Sequence, residues 1–370
     1  MKLELLAPDD PKVGAIWRGL APAAPSYFQT WGWIETWLAC LPPAIAPSLA
    51  VLFDGDAPIA ASFLGRPRRF VHRLVPSRTR FLNVTGVARY DELTIEYNAI
   101  LTAPGRAVSL AAWLAHLPRD WDELVLPALS RAAFPGDSLD QALPDHRITI
   151  DREVGSPYVD LARVRAHQDG YLGLVHATTR AQIRRAERGF GPITIEIATE
   201  APHALAIYDE LIALHAAGWH ARGQAGAFAD PWFARFHRLL ITARLAHGEI
   251  QLVRVHAAGA TIGCLYNFVS GGRVQFYQAG FAPQPDPRCK AGYVCHAEAV
   301  RHNAAAGHAI YDFLGGDQVY KHHLATDLAH LVWARIARPL TRLALDDQLH
   351  HWVHATRAWW RRRGPTPARP

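Results

Sequence analysis

One order of secondary-structure elements can be read twice along these 370 residues, and that repeat sets the fold class. In the first pass, an amphipathic helix over 31–41 precedes strands 48–53 and 59–66, joined by the turn Asp54-Gly55-Asp56. A third strand, 93–101, leads through Pro104-Gly105 to a helix over 106–117. Strand 123–126, a polar helical stretch near Ser138 and strand 146–150 follow. In the second pass, helices 204–217 and 231–246 precede strands 249–256 and 261–270, which meet at the Ala258-Gly259 turn. Strand 273–277, helix 293–306 and strands 309–314 and 331–336 complete it. This is a mixed α/β (α+β) pattern of two tandem units, each a mostly antiparallel sheet flanked by helices. The expected boundaries are 1–155 and 156–344. A basic amphipathic helix and a frayed tail are expected over 345–370.

The stretch Tyr311-Asp312-Phe313-Leu314-Gly315-Gly316-Asp317-Gln318-Val319-Tyr320-Lys321 reads as a buried strand that breaks at a double glycine and restarts as a helical turn. Such a break brings two acids, a phenol and an ammonium together at a strand end, where open α/β sheets bind ligands. Asp312 lies within an apolar run, so burial demands a cationic partner such as Lys321 or a nearby Arg. Asp317 is placed either to touch substrate or to cap the helix that follows.

This stretch is similar to the C-terminal signature of CelD-like acetyltransferase domains and of Fem-type (FemAB) peptidyltransferases. Both belong to the GNAT superfamily, many of whose members carry two GNAT-like units. A second match lies upstream, where Pro157-Tyr158-Val159-Asp160-Leu161 leads to Arg180-Ala181-Gln182-Ile183-Arg184-Arg185-Ala186. The resemblance implies an acyltransferase that uses acyl-CoA (acetyl-CoA) as co-substrate, with no metal, and a small-molecule or peptide amine as acceptor. It also implies that Lys321 lies beside the acyl carbonyl and that Tyr320 protonates the departing thiolate, and the buried Asp312 is expected to orient Lys321. The acyl-CoA pyrophosphate is implied at a helix N-terminus near Arg288, Lys290, Gly292 and Tyr293, with Gln278 on the neighbouring strand. The usual small-residue pattern of that loop is not matched here, because Tyr293 stands at its last position.

Arg180, Arg184 and Arg188 recur every four residues and share a helix face, which suits phosphate or carboxylate or is simply solvated. In His215–Gln224, Trp219 serves as an aromatic wall or as packing, and Arg222 as an anion contact. In the first half, Thr94, Glu96 and Asn98 alternate onto one face. Glu96 is a candidate base if that face borders the cleft.

Two other readings stay open. One is a Fem-type aminoacyltransferase that takes its acyl group from aminoacyl-tRNA, and the other a non-catalytic ligand-binding protein on a transferase fold. Half the residues are apolar, enough for real cores, and the four Cys include no CxxC pair. No apolar run approaches the roughly 20 residues of a membrane span. The expected compartment is a reducing cytoplasm. Net charge is +6 at neutral pH, which by itself does not choose between nucleic acid, lipid and phosphorylated small molecules.

Overall fold

The computed structural model describes residues 1–67, 71–72, 75–134, 136–286, 288–339, 343 and 346. Its first half holds β1 (Lys2–Leu6), α1 (Lys12–Leu20), α2 (Trp31–Cys40), β2 (Ser48–Asp54), β3 (Ala57–Gly65) and a small ribbon, β4 (Val71–His72) with β5 (Val75–Pro76). Next come β6 (Thr79–Leu82), α3 (Ala88–Asp91), β7 (Leu101–Thr102), α4 (Leu110–His116), β8 (Glu123–Ser130), α5 (Gly136–Ala142) and β9 (Arg147–Asp160). The second half opens with α6 (Leu161–Ala166), α7 (Gly170–Leu174), α8 (Ala177–Phe190), β10 (Ile193–Ile197), α9 (Ala201–His220) and α10 (Pro231–Arg244). It closes with β11 (Ile250–Ala257), β12 (Ala260–Ser270), β13 (Arg273–Phe281), α11 (Ala291–Ala305), β14 (Ile310–Asp312), α12 (Val319–Leu324) and β15 (Asp327–Ala337).

Both units lie in one mixed sheet, ordered β1-β2-β3-β6-β8-β15-β9-β14-β13-β12-β11-β10, with β7 beside β3. Read inward from either edge, the two units mirror each other. Each has an antiparallel meander and then one parallel pair, β6 with β8 and β13 with β14. The closing strands are exchanged. β9, the end of the first unit, pairs with β14, while β15, the end of the second, pairs with β8. Because β9 is a continuous 14-residue strand, the boundary expected at 155/156 falls inside it. The expected final strand, 331–336, is likewise longer and lies at the centre of the sheet.

Apolar side chains on one face of the sheet make a core shared by both halves. Trp17 and Trp33 from α1 and α2 bury there with Tyr208 and Phe236 from α9 and α10 and Phe268 from β12. Trp33 packs edge-on against both Phe236 and Phe268, with centroids 4.9 and 5.5 Å away. The opposite face carries two separate cores, one under α4 and α5, the other under α6, α7, α8 and α11. Polar bonds also cross between halves: Tyr27 N donates to Gln275 Oε1 at 2.8 Å, and the Tyr277 hydroxyl to Leu93 O at 2.9 Å.

The strand expected over 93–101 does not form. Thr94 and Tyr97 take positive φ (47° and 52°), which breaks an extended run, and only Leu101–Thr102 pairs as β7. The third strand is instead β6. The helix expected from 106 begins at Leu110, where the Ser109 hydroxyl accepts from Ala112 N. The C-terminal helix expected over 345–363 lies outside the described residues, Asp346 apart. No helix among the described residues is long and apolar enough to cross a membrane.

Candidate active site

β13 and β14 pair only from Arg273–Gln275 to Ile310–Asp312, after which the sheet splits. β14 stops because Leu314 (φ 60°) and Gly316 (φ 136°) turn the chain away, and at the second of these values only glycine is unstrained. β13 runs on to Phe281. Tyr266 faces Gln278 and Asn267 faces Phe276, so Tyr277 is bulged out of the ladder. A cleft of about 520 Å³ opens at the split. The structure brings together there Trp219, Arg222, Gln278, Gly292, Tyr293, Tyr320 and Lys321, all singled out in the sequence. His215, Phe276 and His296 line it as well and were not.

The glycine break is held from both sides. Lys321, 7% exposed, donates from Nζ to Gly315 O at 2.7 Å and Leu314 O at 3.3 Å. Burial lowers its pKa, opposed by the charges of Glu96 and Asp312. Glu96 does not line the cleft. It is buried behind the break and accepts the Gly315 N–H at 2.6 Å. Burial raises its pKa to about 7, although the Gly315 N–H and Lys321 both oppose that shift.

Asp312 is fully buried, and its cationic partner is Arg273 at 2.6 Å, on the adjacent strand. Its other oxygen accepts from Leu314 N at 2.8 Å and Ser156 Oγ at 3.4 Å. No hydrogen bond joins Asp312 to Lys321, so the reading in which Asp312 orients Lys321 is replaced by an Arg273–Asp312 pair that braces the strand end. Asp317 is exposed. The residue before α12 is Gln318, and no side chain caps that helix, so Asp317 is not its cap. Tyr320 is half-buried and stacks on His296, with centroids 5.8 Å apart, and burial pushes its phenol up to about 12.

The 15-residue α11 points its N-terminus at this region without a side-chain cap. Lys290 reaches Gln182 of α8 at 2.9 Å and lies 4.6 Å from the centre of the Tyr293 ring. Arg288 is exposed and folds back onto Asp286 at 2.9 Å, which leaves Lys290 as the cation nearer the helix start. A Cβ at Gly292 would come within 3.2 Å of the Phe281 ring, so glycine keeps this end of the cleft open. The arginine row divides. Arg180 is half-buried and donates to Leu172 O at 3.2 Å, whereas Arg184 and Arg188 are exposed on α8, and neither Arg180 nor Arg184 lines the cleft.

At the other end, Trp219 Nε1 donates to His215 Nε2 at 2.7 Å, and Arg222 lies over the indole at 4.4 Å. Burial and the nearby Arg222 push His215 down to about 4. Its place four residues before Trp219 was the one signal in the sequence that could have found it.

The corresponding split in the first half is closed by the chain itself. Where β6 leaves β8, Asn98 bridges Leu129 in parallel, its N–H bonds Ala128 O at 2.9 Å, and Asn83 Nδ2 donates to Asn98 Oδ1 at 2.7 Å. Among the described residues no cluster of three or more His, Cys, Asp or Glu is arranged to hold a metal ion.

Residues 175–322 match the acetyltransferase (GNAT) domain family. No curated protein matches the chain. Among solved structures, the chain is similar to FemX over 90% of its own length and 97% of that chain, at 10% identity and a TM-score of 0.58. It is similar to a conserved protein of unknown function from Bacteroides thetaiotaomicron over 88% of its length and 98% of that chain, at 10% identity and a TM-score of 0.54. The C-terminal domain of a putative lysylphosphatidylglycerol synthetase from Agrobacterium fabrum matches 90% of this chain with 94% of its own, at 12% identity and a TM-score of 0.50. At such identities these structures share the fold alone, whereas the domain match covers the helices and strands that build the cleft. The second half of the chain therefore carries a GNAT-type acetyltransferase domain, over residues 175–322.

Proposed function

We propose that the chain transfers an acyl group from an acyl-CoA thioester to an amine within the cleft beside β13. The observation that carries this reading is the split between β13 and β14. It is bordered by the uncapped N-terminus of α11 at one end and by Tyr320 and Lys321 in its wall. An uncapped helix start with Lys290 beside it suits a pyrophosphate. The amine attacks the thioester carbonyl carbon and the C–S bond breaks. Lys321 has three donors and directs two at Leu314 O and Gly315 O, so one remains for the acyl oxygen. Tyr320, kept protonated at neutral pH, supplies the proton that the leaving thiolate takes, and its phenolate is restored by the proton that the amine nitrogen sheds as the new C–N bond becomes an amide. The first unit, which ends in β9, acts as a scaffold, and the residues after β9 carry the site.

A second reading takes the acyl group from an aminoacyl-tRNA, and the exposed Arg184, Arg185 and Arg188 of α8 favour it. The two separate in one assay. Incubation with acetyl-CoA or a longer acyl-CoA and a panel of amines should release free thiol in step with acylated amine. Transfer from aminoacyl-tRNA alone, with no thiol released from any acyl-CoA, would replace the first reading by the second.

A further inference from the structure

His296 sits on the second turn of α11, fully buried, yet lines the cleft. Its Nδ1 lies 3.2 Å from the Tyr311 hydroxyl, inside the core under α11. Its Nε2 has no partner. Five aromatic rings surround the imidazole: Phe276 edge-on at 4.5 Å, Phe313 at 5.2 Å, Tyr320 stacked at 5.8 Å, Phe281 at 6.0 Å and Tyr311 at 6.2 Å. None of them bonds Nε2. A buried ring nitrogen left unpaired is destabilising, and an apolar side chain of similar size would avoid that cost in this aromatic setting. Nδ1 is committed to Tyr311, so Nε2, across the ring, is the atom left for a ligand.

We propose that His296 Nε2 is a ligand-binding atom that hydrogen-bonds the neutral, amide-bearing arm of the acyl donor where it passes Tyr320. This rests on the acyl-CoA reading above and names the group that grips the donor between its phosphates and its thioester. The arm is neutral because the aromatic surround stabilises no anion. Burial, with Lys321 nearby, pushes the imidazole down to about 3, so at neutral pH it carries no charge to balance one. An amide suits either tautomer, since it offers an N–H to an accepting Nε2 and a carbonyl to a donating one.

Calorimetry with free CoA and with pantetheine, which has the amide arm but no phosphate, tests the assignment. His296→Leu should weaken both by about tenfold. His296→Gln, which carries an amide to the Nε2 position, should recover most of that loss. Lys290→Ala should weaken CoA and spare pantetheine. In the wild-type protein, the imidazole ¹⁵N signal of His296 Nε2 should move on saturation with either probe, a readout that does not depend on the variants folding. If the wild type binds both probes while His296→Leu binds them equally well, or if the Nε2 signal stays still, His296 is a packing residue and the assignment is wrong. If the wild type binds neither, the acyl-CoA reading falls and takes this one with it.

Discussion

Gly315 is gripped at both ends of its backbone: its N–H is held by Glu96 from the first half, and its carbonyl by Lys321 from α12. Lys321 therefore sets the shape of the wall it belongs to. Lys321→Ala should lower turnover by around 10²-fold, on the scale of losing an oxyanion-stabilising group. Tyr320→Phe should lose less, because water can replace a proton donor. A folded Lys321→Ala protein with full kcat would remove Lys321 from the chemistry.

The carboxyl on the other side gives a pH signature. Glu96 has a folded pKa raised to about 7 against an ordinary value of 4.5. The contribution that this raised pKa makes to stability is complete below about pH 4.5 and is lost as pH rises through 7. Relative to Glu96→Gln, which keeps an acceptor for Gly315 N–H, the wild type should lose on the order of 3 kcal/mol between pH 4.5 and 8. Urea unfolding of both proteins across that range reads the difference, and parallel profiles would contradict the burial of an ionisable Glu96.

At the scale of elements, much of the second unit was legible. The meander, α11 and the glycine break carry period, turn and breaker signals that act locally, and the tertiary structure agrees with them. Segment 93–101 was misread because its alternation comes from tertiary burial. Glu96 reaches Gly315, Asn98 reaches Asn83, and the Glu96 carbonyl accepts from Ser26 Oγ, so the polar side of the pattern is buried between layers. The ion pair was half legible. A buried Asp312 demanded a cation, but only the register of β13 beside β14 selects Arg273 over Lys321. His296 left no trace, since two His six residues apart in an Ala-rich helix make neither a shared face nor a motif, and its neighbours come from other elements, among them β13, β14 and α12.

At the scale of the molecule, the repeat produces one continuous object. Exchanged strands β9 and β15 lie side by side at the centre of the sheet, and the core under α1, α2, α9 and α10 spans both units. The units have diverged at the same point. The parallel pair of the second opens into a cleft, and that of the first is sealed by Asn98 against β8. The first unit then supports the cleft through Glu96, Tyr97 and Leu93. We propose one acyl-donor site per chain, in the second unit, between β13 and the start of α11. The most direct measurement is the stoichiometry of acetyl-CoA binding by calorimetry, on the wild type and on Gly292→Trp, whose indole would fill the space beside Phe281. The wild type should bind one acetyl-CoA per chain and the variant none, with the unfolding midpoint unchanged. Two sites per chain, or one that survives Gly292→Trp, would contradict it.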